Sequence, residues 1–217
     1  EHGGGSGGGR GDAGDDIRAA MSLDADGTVK VLGIAGSLRE GAYNRALLRA
    51  ARKEAPDGLA IEIFDNGILK RIPAYNEDVR AQGDPEPVQA LKEGIREANG
   101  LVIATPEYNH SIPGVLKNAL DWASRPRNET PLHGKPVAIM GASTGSWGTV
   151  RAQMHLRAFF VDHDMPAVRE PEVLVRDADE KFDDEGRLMH DVTKYFVGEL
   201  MEALLRLVRR FKETPER

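Results

Sequence analysis

Short apolar strands alternate with amphipathic helical runs from Val29 to the C-terminus, and this order most constrains what the chain can fold into. Val29 to Ala35 is a first strand, and Arg45 to Glu54 a helix with Leu47, Leu48 and Ala51 on one side, stopped by Pro56-Asp57-Gly58. Leu59 to Phe64 is the second strand. Asp65-Asn66-Gly67 reads as a turn, followed by a long polar, proline-punctuated excursion over Ile68 to Pro85. Pro87 to Ala98 is helical again, and Leu101 to Ala104 is a strand apolar on both faces, as burial between two helix layers requires. Ser111 reads as the cap of the next helix, with Pro113 in its first turn and Leu116, Ala119, Leu120 and Ala123 as its buried stripe. Arg125 to Gly134 is loop, Val137 to Met140 a strand, Gly141 to Gly148 a Gly/Ser turn, and Thr149 to Phe160 a helix. Ala167 to Val168 and Val173 to Val175 are short strands, and a long helix over Leu188 to Phe211 closes the chain.

Strands separated by crossovers of this length return in parallel, so the fold class is an α/β three-layer sandwich around a five-stranded parallel sheet. Its expected strand order is 2-1-3-4-5, the flavodoxin-like arrangement, with ligands bound outside the strands' carboxyl ends where the order reverses.

At 217 residues the chain suits a single folded domain, assigned to residues 28–217. Residues 1–27 are Gly-rich and then acidic, with too little apolar surface to offset ordering entropy, and are expected to be a disordered tail. The glycine-rich start reads as a linker, with Met21 a candidate native start. The tail holds six acidic and two basic residues, which leaves the folded part nearly neutral. Nucleic-acid binding is excluded on that ground, because no basic stripe exists to release counterions; Arg206, Arg209 and Arg210 read as a solvated helix face. No apolar run spans a bilayer, no signal segment opens the chain and there is no cysteine, so a soluble cytoplasmic protein is expected. His110, His133, His155 and His163 lack short ligand spacing, and no metal is expected.

The loop Gly36 to Asn44 joins the first strand to its helix and has the outline of an anion cradle. A helix N-terminus offers unpaired N–H groups and a positive dipole end, to which Ser37, Arg39 and Asn44 add donors. It is not a nucleotide P-loop, since Ala42 and Tyr43 replace the Lys and Ser/Thr of that motif. Nor is it a dinucleotide fingerprint, because Leu38 stands where the second glycine belongs. A single phosphomonoester fits. The loops after strands one, three and four share one sheet edge, so this cradle, the proline-stiffened Pro106 to Asn109 and the glycine-rich Gly141 to Gly148 together suit a flat heterocycle carrying a phosphate.

The segments GSLREGAYN (36–44), PEYNHSIPGVLKNALDW (106–122) and GASTGSWGTVRAQ (141–153) resemble the NADPH-dependent FMN reductase family, whose members include quinone, azo-dye and chromate reductases. The resemblance spans about residues 29–200. It implies that Ser37, Leu38, Arg39 and Asn44 surround the FMN phosphate, that Pro106, Glu107, Tyr108 and Asn109 border the isoalloxazine, and that Ser143, Thr144, Gly145 and Trp147 complete the site. Glu107 is included for proximity only, with a backbone contact or a subunit-interface ion pair as its alternatives. Many members have Ser where this chain has Ala42; one hydrogen bond to a charged group is worth about 1.5–3 kcal/mol, so weaker FMN retention is expected.

By the same resemblance the activity is NAD(P)H oxidation with two-electron transfer to a small-molecule acceptor such as a quinone, azo compound, chromate or free flavin. The order is ping-pong, and no protein acid or base is obligatory. NADPH or NADH is the donor. Backbone N–H groups of residues 143–148 are the expected partners of the anionic flavin edge. Arg125 and Arg127 are candidates for the 2′-phosphate of NADPH. A homodimer or homotetramer is implied, with part of the Leu116 to Ala123 stripe at the interface.

Two alternatives accompany this reading. Gly141-Ala142-Ser143-Thr144-Gly145 spells the G-x-S-x-G nucleophile elbow of α/β-hydrolases, with Asp177 and His190 following in triad order. A non-enzymatic electron carrier of the flavodoxin kind would share the fold and the FMN.

Overall fold

The computed structural model describes residues 27–213, so the expectation of a tail falls almost wholly outside the described residues. Five strands, β1 (Val29–Ala35), β2 (Leu59–Ile63), β3 (Gly100–Ala104), β4 (Val137–Ala142) and β5 (Val173–Val175), form one sheet of order β2-β1-β3-β4-β5. All pairs are parallel, with Val29 opposite Leu59, Val31 opposite Gly100, Leu101 opposite Val137 and Met140 opposite Val173. The flavodoxin-like expectation holds.

Strand alternation separates two cores. Val31, Val102, Ala138 and Met140 face α1 (Tyr43–Lys53) and α7 (Asp191–Glu213). Ile34, Leu101, Ile103, Val137 and Ile139 face the opposite layer. That layer holds α4 (Glu86–Glu97), α5 (Gly114–Ala123) and α6 (Val150–Asp162). Because the helices run against the strands, the N-termini of α1, α5 and α6 lie at the carboxyl edge of the sheet and their C-termini at the amino edge. Gly100 sits in close packing: a Cβ there would meet Val208 and the Pro136 carbonyl at 3.0 and 3.1 Å.

Several local expectations are corrected. Asp65-Asn66-Gly67 does not turn the chain but starts α2 (Asn66–Arg71), with Asp65 as N-cap accepting from the Gly67 N–H at 2.7 Å. The excursion also contains α3 (Glu77–Arg80), which buries no side chain. It is tied to α5 by Trp122, whose Nε1 donates to the Pro73 carbonyl, and by Asn118, which accepts from the Tyr75 N–H (both 2.8 Å). Pro113, not Ser111, occupies the N-cap of α5. The Leu116, Ala119, Leu120 and Ala123 stripe is wholly buried within the chain, so it is not available to a second subunit. Ala167 makes only an isolated bridge to Val137. α7 begins at Asp191 because Leu188 is drawn into a bridge with Phe182.

Candidate functional site

Three loops meet at the carboxyl edge where β1 and β3 part from each other's outer neighbours. The first leaves β1 at Gly36, whose N–H donates to the Ala104 carbonyl at 2.8 Å. A Cβ on Gly36 would sit 3.1 Å from both Pro106 and Leu116, so the first loop packs tightly on the second and on α5. Ser37 is buried, its Oγ 3.3 Å from the Tyr108 hydroxyl, and its carbonyl accepts from Asn66 Nδ2 at 2.7 Å. Leu38 and Arg39 are exposed, and the Arg39 guanidinium lies 5.9 Å over the Tyr43 ring. Tyr43 in turn leans on Phe182, centroids 5.4 Å apart.

The N-terminus of α1 lacks every ordinary cap. Ala42 at the N-cap has no side-chain oxygen and the first turn holds no acid. Among the described residues, the N–H groups of Tyr43 and Asn44 have no partner in the chain, while Arg45 and Ala46 donate to the Ala42 carbonyl. Asn44 itself serves differently from the sequence expectation. Its Oδ1 accepts from the Ala142 N–H at 2.9 Å and its Nδ2 donates to the Ala142 carbonyl at 2.8 Å, so the buried side chain is a strut to the third loop.

In the second loop, Pro106 is buried against Gly36. Tyr108 and Ser111 exchange backbone bonds at 3.1 and 3.0 Å across Asn109 and His110, which have φ of 50° and 64°. Two positive values make this a type I′ turn, which Asn tolerates readily. It presents Tyr108 with half its surface open and Asn109 exposed. Glu107 is held at the N-terminus of α6. Its carboxylate accepts from the N–H groups of Arg151 and Ala152 at 2.8 and 3.2 Å and pairs with the Arg151 guanidinium at 3.1 Å. Burial raises the Glu107 pKa, but these hydrogen bonds outweigh it and hold the carboxyl below its ordinary value. Its contribution to stability is therefore present above the ordinary carboxylate range and is lost as pH falls through that lowered pKa.

The third loop runs from Ser143 to Thr149. A Cβ on Gly141, just before it, would lie 1.9 Å from Thr149 Oγ1 and 2.4 Å from the Thr105 carbonyl, so no other residue fits. Ser143 Oγ accepts from the Gly145 N–H at 3.0 Å, and the Ser143 N–H donates to Val175. Gly148 has φ +58° and donates to Gly145. Of the amides expected to face a ligand, those of Ser143, Gly145 and Gly148 are thus engaged. Those of Thr144, Ser146 and Trp147 have no partner among the described residues. Thr144 and Gly145 are exposed, and Trp147 is 69% exposed with the Arg151 guanidinium 5.3 Å over its ring.

The model of one family, NADPH-dependent FMN reductase, matches residues 29–180. The chain belongs to that family. It is 50% identical over 184 residues to an NAD(P)H-dependent FMN reductase of Pseudomonas aeruginosa, covering 85% of this chain and 97% of that one. A 2-hydroxy-1,4-benzoquinone reductase of Burkholderia is 38% identical over 181 residues, 83% and 97% of the two chains. Among solved structures, FerB of Paracoccus denitrificans, a flavoenzyme NAD(P)H:acceptor oxidoreductase, superposes with a TM-score of 0.76 at 30% identity over 85% of this chain and 99% of its own. This reductase is accordingly an FMN-dependent oxidoreductase that uses NAD(P)H.

The residues present fit that cofactor. An uncapped helix N-terminus beside Ser37 and Arg39 matches a phosphomonoester dianion, and the half-open Tyr108 and the unengaged amides of the third loop suit a planar ring. The hydrolase elbow does not assemble: among the described residues no hydrogen bond joins Ser143, Asp177 and His190. The Ser143 backbone lacks the positive φ of a strained elbow, and His190 Nδ1 lies 2.8 Å from Thr193 Oγ1.

Arg127 is also reassigned. It lies past the C-terminus of α5, at the sheet's amino edge, where it pairs with Asp162 at 3.0 Å and holds that carboxyl below its ordinary value. The sequence reading missed Asn66, Arg151 and His155. Arg151 and His155 lie one turn apart on α6, and only their place directly after the third glycine-rich loop hinted at the rim.

Proposed function

We propose that this reductase passes two electrons from NADPH or NADH to a small-molecule acceptor, quinones foremost, by a ping-pong order. Azo compounds, chromate and free flavin belong to the same acceptor class. The observation that carries the reading is the uncapped N-terminus of α1 set beside Ser37 and Arg39, with an exposed aromatic rim next to it. When bound, FMN supplies the hydride-transfer chemistry between nicotinamide and acceptor. The chain's own residues bind and orient. The N–H groups of Tyr43 and Asn44, with Ser37 and Arg39, are the phosphate donors; Leu38, Pro106, Tyr108 and Asn109 border the ring. Thr144 and Trp147 offer N–H groups toward developing negative charge on the ring edge, while Ser143 and Gly145 shape the turn that presents them.

A cytoplasmic location and a homodimer or homotetramer belong to the same proposal. The face of α6 carrying Met154 and Val161, 58% and 79% exposed, is the apolar surface a second copy would use in place of the buried α5 stripe. The single-domain boundary at residue 28 is proposed on composition.

The test is an absorbance spectrum of the purified protein followed by anaerobic NADPH addition. Flavin bands that bleach on addition establish donor and cofactor together. Initial-rate lines that stay parallel when NADPH and quinone are both varied support the ping-pong order, and intersecting lines refute it.

A further inference from the structure

Helix α6 is capped from another loop. Its own N-cap, Thr149, makes no side-chain capping bond; its Oγ1 instead lies 3.1 Å from Gln153 Nε2. The N–H groups of Arg151 and Ala152, in the first turn of the helix, both donate to Oε2 of Glu107, more than 40 residues earlier in the chain. A second contact lies one turn on, where Ser111 Oγ is 2.9 Å from His155 Nδ1. The turn 106–111 is therefore fastened to α6 at both ends. The same carboxylate pairs with Arg151, whose guanidinium supports Trp147 at the tip of the third loop. Pairing a carboxylate with a helix N-terminus and an arginine is stronger than a neutral bond, and with only 10% of its side chain exposed Glu107 is little screened.

We propose that Glu107 is a positioning residue for the flavin site: it couples the two ring-bordering loops through the N-terminus of α6, so that neither can move without the other. This rests on the FMN reading above, and it explains why a carboxylate stands beside an electron-rich ring, since its charge is taken up by the α6 N-terminus and Arg151. Tyr108 and Trp147 then form one preorganised rim instead of two independent contacts.

The experiment compares the apoproteins of wild type, Glu107→Gln and Glu107→Ala. Two quantities are measured: FMN affinity from quenching of flavin fluorescence, and amide hydrogen exchange of the ligand-free proteins. Glu107→Ala is expected to weaken FMN at least tenfold and to raise exchange in residues 108–111 and 144–153 together. Glu107→Gln keeps an acceptor for the helix N–H groups and loses only the ion pair, so it is expected to recover most of the affinity, to within about threefold of wild type. If Glu107 merely capped a helix, exchange would rise at 150–153 alone and the FMN affinity of folded Glu107→Ala would stay within twofold of wild type; that result overturns the proposal. Should Glu107→Ala not fold, Ser111→Ala replaces it. That variant must raise exchange in both loops and weaken FMN about threefold, and wild-type behaviour there rejects the coupling. Wild-type apoprotein that fails to bind FMN refutes the cofactor reading instead, whatever the variants do.

Discussion

The two edges of the sheet treat several of their polar groups differently. At the amino edge several buried or terminal cations are engaged by the chain itself. Lys135 Nζ donates to the Ala98 carbonyl at 2.7 Å just past α4, Lys92 is buried against Asp84 and the Arg125 carbonyl, and Arg127 is locked to Asp162. At the carboxyl edge the N-terminus of α1 is left uncapped, three amides of the third loop are unengaged, and Arg39 stays open to solvent. One edge uses these cations internally, and the other leaves donors that the fold does not use. The contrast teaches which polar residues to read as function: those whose bonding capacity the fold leaves unmet.

The largest expected effect breaks the rim itself. Gly141→Ala places a methyl inside the Thr149 hydroxyl and against the Thr105 backbone, a clash that no rotamer relieves. A stability loss of about 3 kcal/mol or more is expected in urea unfolding, together with loss of FMN binding. Near-wild-type unfolding would show that the third loop is looser than described.

Next come paired substitutions that separate the edges. Lys92→Met should cost about 1–3 kcal/mol, because the Arg125 carbonyl and Asp84 lose their buried partner, while FMN affinity stays within twofold. Arg39→Ala should do the reverse. The unfolding midpoint of the apoprotein should not move, and FMN should bind about tenfold or more weakly, the worth of one bond to a charged group. If both variants changed stability and affinity in the same proportion, the division between edges would fail. Ala42→Ser is the gentler test. It adds the missing N-cap and a phosphate donor, so about tenfold tighter FMN binding and about 1 kcal/mol of added stability are expected.

Most of the fold was legible because strand alternation and helix periodicity are local: β1 and β5 fall where the apolar runs place them, and the strand order follows from crossover length. The loops bearing Ser37, Tyr108 and Ser143 were legible for the same reason, since topology alone brings their ends to one edge. What stayed hidden depends on contacts between distant segments. Asn44 has the chemistry of a phosphate donor, and only the nearness of Ala142 turns its amide into a strut. Glu107 looked misplaced beside a flavin until the N-terminus of α6 supplied its partners. Asp65-Asn66-Gly67 has the composition of a turn, but the same Asp65 geometry caps a helix when the next residues bury Leu69.

The smallest expected effect is a null that sharpens the comparison further. Arg127 follows a helix that starts at the rim, which in sequence makes it a plausible reader of the 2′-phosphate of NADPH. The ten residues of α5 carry the chain about 15 Å toward the other edge, at 1.5 Å per residue, and there two bonds to the Asp162 carboxylate and one to its carbonyl occupy the guanidinium. Arg127→Ala should therefore leave the ratio of kcat/KM for NADPH over NADH unchanged within twofold, and being an exposed pair it should alter stability by less than about 1 kcal/mol. A drop in that ratio of tenfold or more would mean that the amino edge takes part in donor recognition, and the functional separation of the two edges would no longer stand.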